Sequence, residues 1–204
     1  MTELLNISQF ETKAAARLWV KAQWPLLNWT VLAEQMGGYW ANAMADSASR
    51  LNQPVKNIHW LAYKAITGEA DLSAAIALMV ASTGIAASHL WLPKVQGQHL
   101  IAGQYSRTIP GAYGIAEPVD NLTNQWVGLN PLVLLIPCLA MSKTGYRLGR
   151  GKGYYDRLLA MLTQLDVKFL AIGVCPQTMV CHWPNDSWDV ALHGHLSETG
   201  IQWF

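Results

Sequence analysis

In the stretch "GYRLGRGKGYYDR", residues 145–157, Arg147, Arg150 and Lys152 stand among Gly149, Gly151 and Gly153. Cations alternating with glycines suit either phosphate or a solvent-exposed flexible turn. Glycine lets the backbone take positive φ and turn successive N–H groups toward one point, while the side chains between supply opposing charge. The spacing of Leu158, Leu159, Met161, Leu162 and Leu165 predicts a helix over 154–165. Its unpaired first N–H groups and positive dipole end would face the same anion. Neither familiar nucleotide fingerprint fits. A P-loop requires Ser or Thr where Gly153 follows Lys152, and Gly153 comes one residue too early for G-x-G-x-x-G. Asp156, in the first helical turn, is either an ordinary first-turn acid or a ligand for a Mg²⁺ that bridges phosphates.

Composition makes any anion site local. Charged residues are 13% of the 204, and the net charge is +1, which excludes a broad field for nucleic acid or an acidic membrane surface. Cys138, Cys175 and Cys181 are odd in number and lack C-x-x-C spacing, as expected of reduced thiols in a cytosolic protein. "MTELLNISQF" has no basic region ahead of an apolar block, and the apolar run at 74–87 is broken by Ser82, Thr83 and Gly84. The expectation is a soluble, cytoplasmic monomer. Ten tryptophans are scattered without a period and read as core or half-buried anchors.

The elements that must position the glycine loop follow from periodicity. Ser8 and Glu11 form a capping-box pattern that predicts a helix over 8–23, with Lys13 and Arg17 on one face. A second helix is predicted through 30–51, weakened at Gly37 and Gly38. A strand at 57–63, a helix at 71–82 and a strand at 88–93 make a βαβ unit with parallel strands. A further strand is predicted at 99–105, and 110–118 is expected to be irregular because of its prolines and glycines. The buried strand at 131–137, the helix at 154–165 and the strand at 168–174 form a second βαβ unit. The loop thus leaves the carboxyl end of a strand, the edge at which open α/β sheets bind ligands.

The run "PCLAMSKTGYRLGRGKGYYDRLLA", residues 137–160, resembles the signature of the 5-formyltetrahydrofolate cyclo-ligase family (5,10-methenyltetrahydrofolate synthetases), roughly P-G-L-A-F-D-x-x-G-x-R-L-G-x-G-x-G-Y-Y-D. Lys13 and Arg17, "AYKAITGEADL", "LWLPKV", "YGIAEP" and "PNDSWDVALHGHLSETG" are similar, in order, to other parts of the family pattern, so the resemblance spans about residues 10–200. It implies an α/β fold: a single three-layer α/β/α domain over 1–204, with a mostly parallel, Rossmann-like sheet. It also implies ATP- and Mg²⁺-dependent conversion of 5-formyltetrahydrofolate to 5,10-methenyltetrahydrofolate, releasing ADP and phosphate. The formyl oxygen attacks the γ-phosphate and N10 then displaces phosphate, chemistry that asks mainly for positioning and charge neutralisation. By the resemblance, Lys13, Arg17, Arg147 and the loop Gly149, Arg150, Gly151, Lys152 and Gly153 hold the ATP phosphates. Arg150, Lys152 and Tyr154 take catalytic roles, and Tyr154 and Tyr155 line the junction of folate and nucleotide. Lys64, Glu69 and Tyr154 meet the reduced folate, and Asp156 and Asp189 bind Mg²⁺. No nucleic-acid or membrane partner is implied.

This chain departs from the family pattern at Cys138 (usually Gly), Ser142 (usually Asp), Trp188 (often His) and His193 (usually Asp). His193 either removes a charge that helps hold Mg²⁺ or hydrogen-bonds Asp189. Ser142, Trp188 and His193 motivate a second reading, a weakly catalytic paralogue that binds nucleotide or folate without turnover. A third, a sugar-phosphate or acyl-transfer enzyme on a related scaffold, lacks a convincing nucleophile or base. His182, Asp189, His193 and His195 are of ligand type for a transition metal but read as scattered structural residues. Trp126 and Trp183 read as core, with stacking on a pterin as the alternative.

Overall fold

The computed structural model describes residues 8–111 and 114–204. In chain order its helices and strands are α1 (Lys13–Gln23), α2 (Trp29–Gly38), α3 (Trp40–Leu51), β1 (His59–Leu61), α4 (Ser73–Thr83), β2 (Leu90–Gln96), β3 (His99–Gln104), β4 (Thr108–Pro110) and β5 (Ala116–Pro118). They continue with β6 (Leu132–Pro137), β7 (Ala140–Met141), β8 (Arg147–Leu148), α5 (Tyr154–Gln164), β9 (Phe169–Val174), β10 (Gly194–Ser197) and β11 (Gly200–Trp203).

A seven-stranded sheet runs β11-β10-β9-β6-β1-β2-β3. Pairs among β10, β9, β6, β1 and β2 are parallel, and only the edge strands β11 and β3 run antiparallel to their neighbours. Strand alternation divides the core into two layers. On β6, Leu132, Leu134 and Ile136 pack with Ala16 and Val20 of α1 and Leu158, Leu159 and Leu162 of α5. Val133 and Leu135 face the other way, toward Met36, Trp40, Met44, Ile76 and Met79 of α2, α3 and α4. The sheet is therefore covered by helices on both faces, as the uninterrupted apolar run of β6 requires. No helix among the described residues is long and apolar enough to cross a membrane.

Both expected βαβ units are present, β1-α4-β2 and β6-α5-β9. They leave the adjacent strands β1 and β6 in opposite directions, so a topological switch lies between those two strands. At such a switch the connecting segments diverge and open a crevice beyond the carboxyl ends of the strands.

Three local expectations are corrected. The first helix starts at Lys13, capped by Thr12, whose Oγ1 accepts the Ala15 N–H at 3.1 Å. Ser8 caps nothing, because its carbonyl accepts the His182 N–H at 2.9 Å while the Phe10 N–H donates to the His182 carbonyl at 2.9 Å. The helix expected over 30–51 is two helices, α2 ending at Gly38 and α3 starting at Trp40, so the break falls directly after the glycine pair, at Tyr39. In the stretch expected to be irregular, β4 and β5 pair antiparallel, with Pro110 and Pro118 at strand ends where a missing donor is tolerated. The tail, for which no element was expected, folds as the hairpin of β10 and β11, which completes one edge of the sheet.

His59 opens β1 at the end of the sheet away from the switch crevice. Its ring stacks on His89 at 4.3 Å between centroids, and its Nδ1 accepts the Trp91 indole N–H at 3.0 Å. Burial, with the charge of His89 adding to it, pushes its pKa down from 6.5 to about 4. The unfolded chain then binds a proton that the folded chain refuses, so stability is expected to fall as pH drops through the window between those values. Urea midpoints measured between pH 7 and pH 4 should show the loss, and His59→Gln should flatten it. An unchanged pH slope in that variant would refute the assignment.

Candidate functional site

A cleft of about 950 Å³ occupies the crevice between the switch strands. Tyr63 and Lys64, just beyond β1, and Pro137 and Leu139, at the end of β6, form part of its wall, while Leu92, Val95 and Leu100 make an apolar floor. The residues to which the family resemblance gives ligand, catalytic or metal roles all lie here: Lys13, Arg17, Lys64, Glu69, Arg147, the run from Gly149 to Asp156, and Asp189.

The glycine loop follows the short β7-β8 hairpin and ends at α5. Ser142 secures that hairpin: its Oγ accepts the N–H groups of Thr144 at 3.2 Å and Tyr146 at 3.0 Å. An aspartate carboxylate could make the same turn, so the Ser142 departure is a conservative change in turn chemistry outside the cleft. Gly151 and Gly153 take φ of +95° and +67°, the left-handed region that side chains resist, and Gly153 is the residue from which α5 springs. Gly149 is needed for space instead, since a Cβ there would lie 2.4 Å from Arg147 Nη1. From the opposite wall Arg17 of α1 donates its Nε–H to the Gly149 carbonyl at 2.9 Å, tying helix to loop.

The cleft is not a basic bowl. Its described lining carries six cations, Lys13, Arg17, Lys64, Arg147, Arg150 and Lys152, and six carboxylates, Glu11, Glu69, Glu117, Asp156, Asp186 and Asp189. Several already meet. Lys13 Nζ donates to Asp186 at 2.6 Å and to Asp189 at 2.5 Å. Burial alone would lower the Lys13 pKa, but those hydrogen bonds and charges outweigh it and leave the ammonium held above its ordinary value. Arg147 Nη2 donates to Asp156 Oδ2 at 2.8 Å and its guanidinium lies over the Tyr155 ring at 5.4 Å, while its Nε–H is buried with no partner.

Arg150 reaches across to the turn after β1, donating Nε–H to Glu69 Oε1 at 3.2 Å and Nη2–H to the Thr67 carbonyl at 2.7 Å. Burial raises the Glu69 carboxyl above its ordinary pKa, against the opposing pull of the Arg150 charge and the Ile66 N–H. Lys64 Nζ donates to the Tyr105 hydroxyl at 2.6 Å, and Arg157 sits over the Tyr154 ring at 5.3 Å. The cleft therefore joins a phosphate-shaped loop to a buried acid through one arginine.

Asp156 and Asp189 both line the cleft, but each faces a cation, and no group of three His, Cys, Asp or Glu side chains among the described residues is arranged to hold a metal. Such a donor set suits Mg²⁺ arriving with phosphate, since that ion keeps waters and takes only one or two carboxylates beside phosphate oxygens.

His193 does not reach Asp189. Its Nδ1 accepts the Ala171 N–H at 3.0 Å, and its ring meets Phe169 edge-on, outside the cleft. His195 is buried against the Cys175 carbonyl at 2.9 Å. Trp126 and Trp183 are core residues, each 1% exposed. Sequence reasoning missed Glu11, Glu117 and Asp186 as cleft acids, with Glu11 visible only as half of a capping box. Glu117 was visible only as part of the Ala-Glu-Pro turn, and Asp186 only as a tail acid three residues before Asp189.

Comparison with known proteins places these features in context. A family model described as the 5-formyltetrahydrofolate cyclo-ligase family matches residues 41–197. The chain is 42% identical over 57 residues to a 5-formyltetrahydrofolate cyclo-ligase of Mycoplasma genitalium, covering 28% of this chain and 33% of that protein. It is 39% identical over 82 residues to the cyclo-ligase of Haemophilus influenzae, covering 39% of this chain and 42% of that one. These matches thus span less than half the length of either curated relative. The solved structure of Aquifex aeolicus 5,10-methenyltetrahydrofolate synthetase aligns with a TM-score of 0.67 at 27% identity, covering 94% of this chain and 92% of that one.

Proposed function

The chain belongs to the 5-formyltetrahydrofolate cyclo-ligase family, and we propose that it closes the ring of 5-formyltetrahydrofolate to 5,10-methenyltetrahydrofolate at the expense of ATP. The observation that carries the reading is the Arg150 bridge, which sets the glycine loop and the buried Glu69 in one cleft. The reaction needs that pairing, because the formyl oxygen must meet a phosphoryl group in line.

The loop's N–H groups and the start of α5 cradle the phosphates, and Arg17, Arg147, Arg150 and Lys152 offset their charge. When Arg150 turns to phosphate, Glu69 is left buried without its counter-charge, so its demand for a donor N–H rises. A reduced pterin offers such donors, and Glu69 thereby orients the folate toward the loop, with Lys64 beside it. Tyr154 and Tyr155 stand between the two ligands, and the apolar floor of Leu92, Val95 and Leu100 limits water at the transferring group. Mg²⁺, when bound with the phosphates, would supply further charge neutralisation, and Asp156 and Asp189 would hold it. The buried, unpaired thiols Cys138, Cys175 and Cys181 fit a reducing, cytoplasmic setting.

The paralogue reading loses two of its three motives, since Ser142 and His193 lie outside the cleft lining and only Trp188 belongs to it. The deciding experiment follows absorbance at the methenyltetrahydrofolate band with 5-formyltetrahydrofolate and Mg²⁺, with and without ATP. A rise that depends on ATP is expected. No rise, in protein that calorimetry shows to bind both ligands, would overturn catalysis in favour of binding alone.

A further inference from the structure

Trp188 is a cleft residue to which nothing above gives a task. Its side chain lines the cleft yet is 70% exposed, an unusual place for a large indole that could recover free energy by burial. The turn beneath it is braced. Asp189 Oδ2 accepts the Asp186 N–H at 2.8 Å, the Asp186 carbonyl accepts the Asp189 N–H at 3.1 Å, and both carboxylates clasp Lys13 of α1.

That clasp fixes how far the indole stands from the phosphate loop. Arg17, which is bonded to the Gly149 carbonyl, lies four residues beyond Lys13 on the same helix face, a rise of about 6 Å. The cleft lining thus brings together the loop's cations, one helical turn of α1, and an uncovered flat aromatic ring. A nucleoside triphosphate presents the matching sequence of charged tail, sugar and flat base.

We propose that Trp188 stacks on the nucleotide's purine and determines specificity for a base-bearing triphosphate over a bare polyphosphate. This deepens the reading of the glycine loop as the ATP site and rests on it. Stacking uses the faces of both rings and no hydrogen bond, so phenylalanine should substitute and alanine should not.

The test is calorimetric binding of Mg-ATP and of Mg-tripolyphosphate to the parent chain, W188A and W188F. Loss of one base–aromatic stack should weaken ATP about 10- to 100-fold in W188A, with tripolyphosphate affinity unchanged and most of the ATP affinity restored in W188F. Equal ATP affinity in W188A and parent would overturn the proposal. So would an equal loss for both ligands, which would assign the residue to bracing Lys13. A parent chain that binds neither ligand would overturn the nucleotide reading of the cleft itself, a failure distinct from ATP binding that ignores Trp188.

Discussion

Lys152→Ala is expected to lower kcat/KM for ATP by about 100- to 1,000-fold, the effect of removing one preorganised donor from a developing anion, or about 2.7–4 kcal/mol. Lys152 lies in the glycine loop between Gly151 and Gly153, where the left-handed backbone on either side fixes the direction from which its side chain enters the cleft. Arg157 Nη2 donates to the Lys152 carbonyl at 3.0 Å and the Arg157 N–H to the Gly153 carbonyl at 3.1 Å, both tying this part of the loop to α5 through its backbone. Truncating the side chain leaves those backbone acceptors in place, so thermal midpoint and loop anchoring should survive while turnover does not. Parent-like kinetics in the folded variant would remove the lysine from the mechanism.

Arg147→Met should cost stability as well as activity. The Arg147 side chain is 6% exposed and that of Asp156 is 20% exposed, so the substitution strands a largely buried carboxylate. Breaking such a pair costs about 3–5 kcal/mol, and the lower end is expected because the first turn of α5 still favours a negative charge. Urea denaturation should show the loss, and pairing Arg147→Met with Asp156→Leu should recover most of it while phosphate binding stays weak. Binding stays weak in the double variant because both proposed roles are lost, the charge of Arg147 at phosphate and the carboxylate of Asp156 at Mg²⁺. The partnerless Nε–H of Arg147 supports the functional side: a buried donor without an acceptor is a standing cost that a ligand oxygen would relieve. A parent-like midpoint in Arg147→Met would contradict the pairing argument.

What was legible in the sequence was whatever is encoded locally. The apolar run of β6, the leucine spacing of α5 and the glycines between them placed the glycine loop at the carboxyl edge of a parallel sheet, where the structure has it. Lys13 and Arg17 could be read only as neighbours on a helix face; that the face meets the loop is a tertiary fact, fixed by the Arg17 bond to Gly149. The start of α1 misled because Ser8 has better partners in the distant His182 than in its own helix, and propensity yields to such pairing. The hairpin of β10 and β11 was hidden because its strands are four residues each and mix Gly, His and Gln with few apolar positions. The carboxylates that answer the loop's cations were the least legible feature. Glu69 lies 81 positions from Arg150, and Asp189 lies 176 from Lys13, separations over which spacing carries no signal.

The balance of six cations and six carboxylates in the cleft bears on how a ligand arrives. An anion in solution is met by almost no net field from this mouth, so encounter is governed by ordinary diffusion rather than electrostatic steering, and ionic strength has little hold on the association rate. Discrimination falls instead at contact, where an incoming group must displace resident acids from their arginines and lysine. A lone phosphate offers too few oxygens to unseat several carboxylates together, whereas a triphosphate reaches the partners of Arg147, Arg150 and Lys13 in one event. On the proposed reading, the clasped cleft would set a threshold on multivalent charge, favouring a triphosphate over small anions.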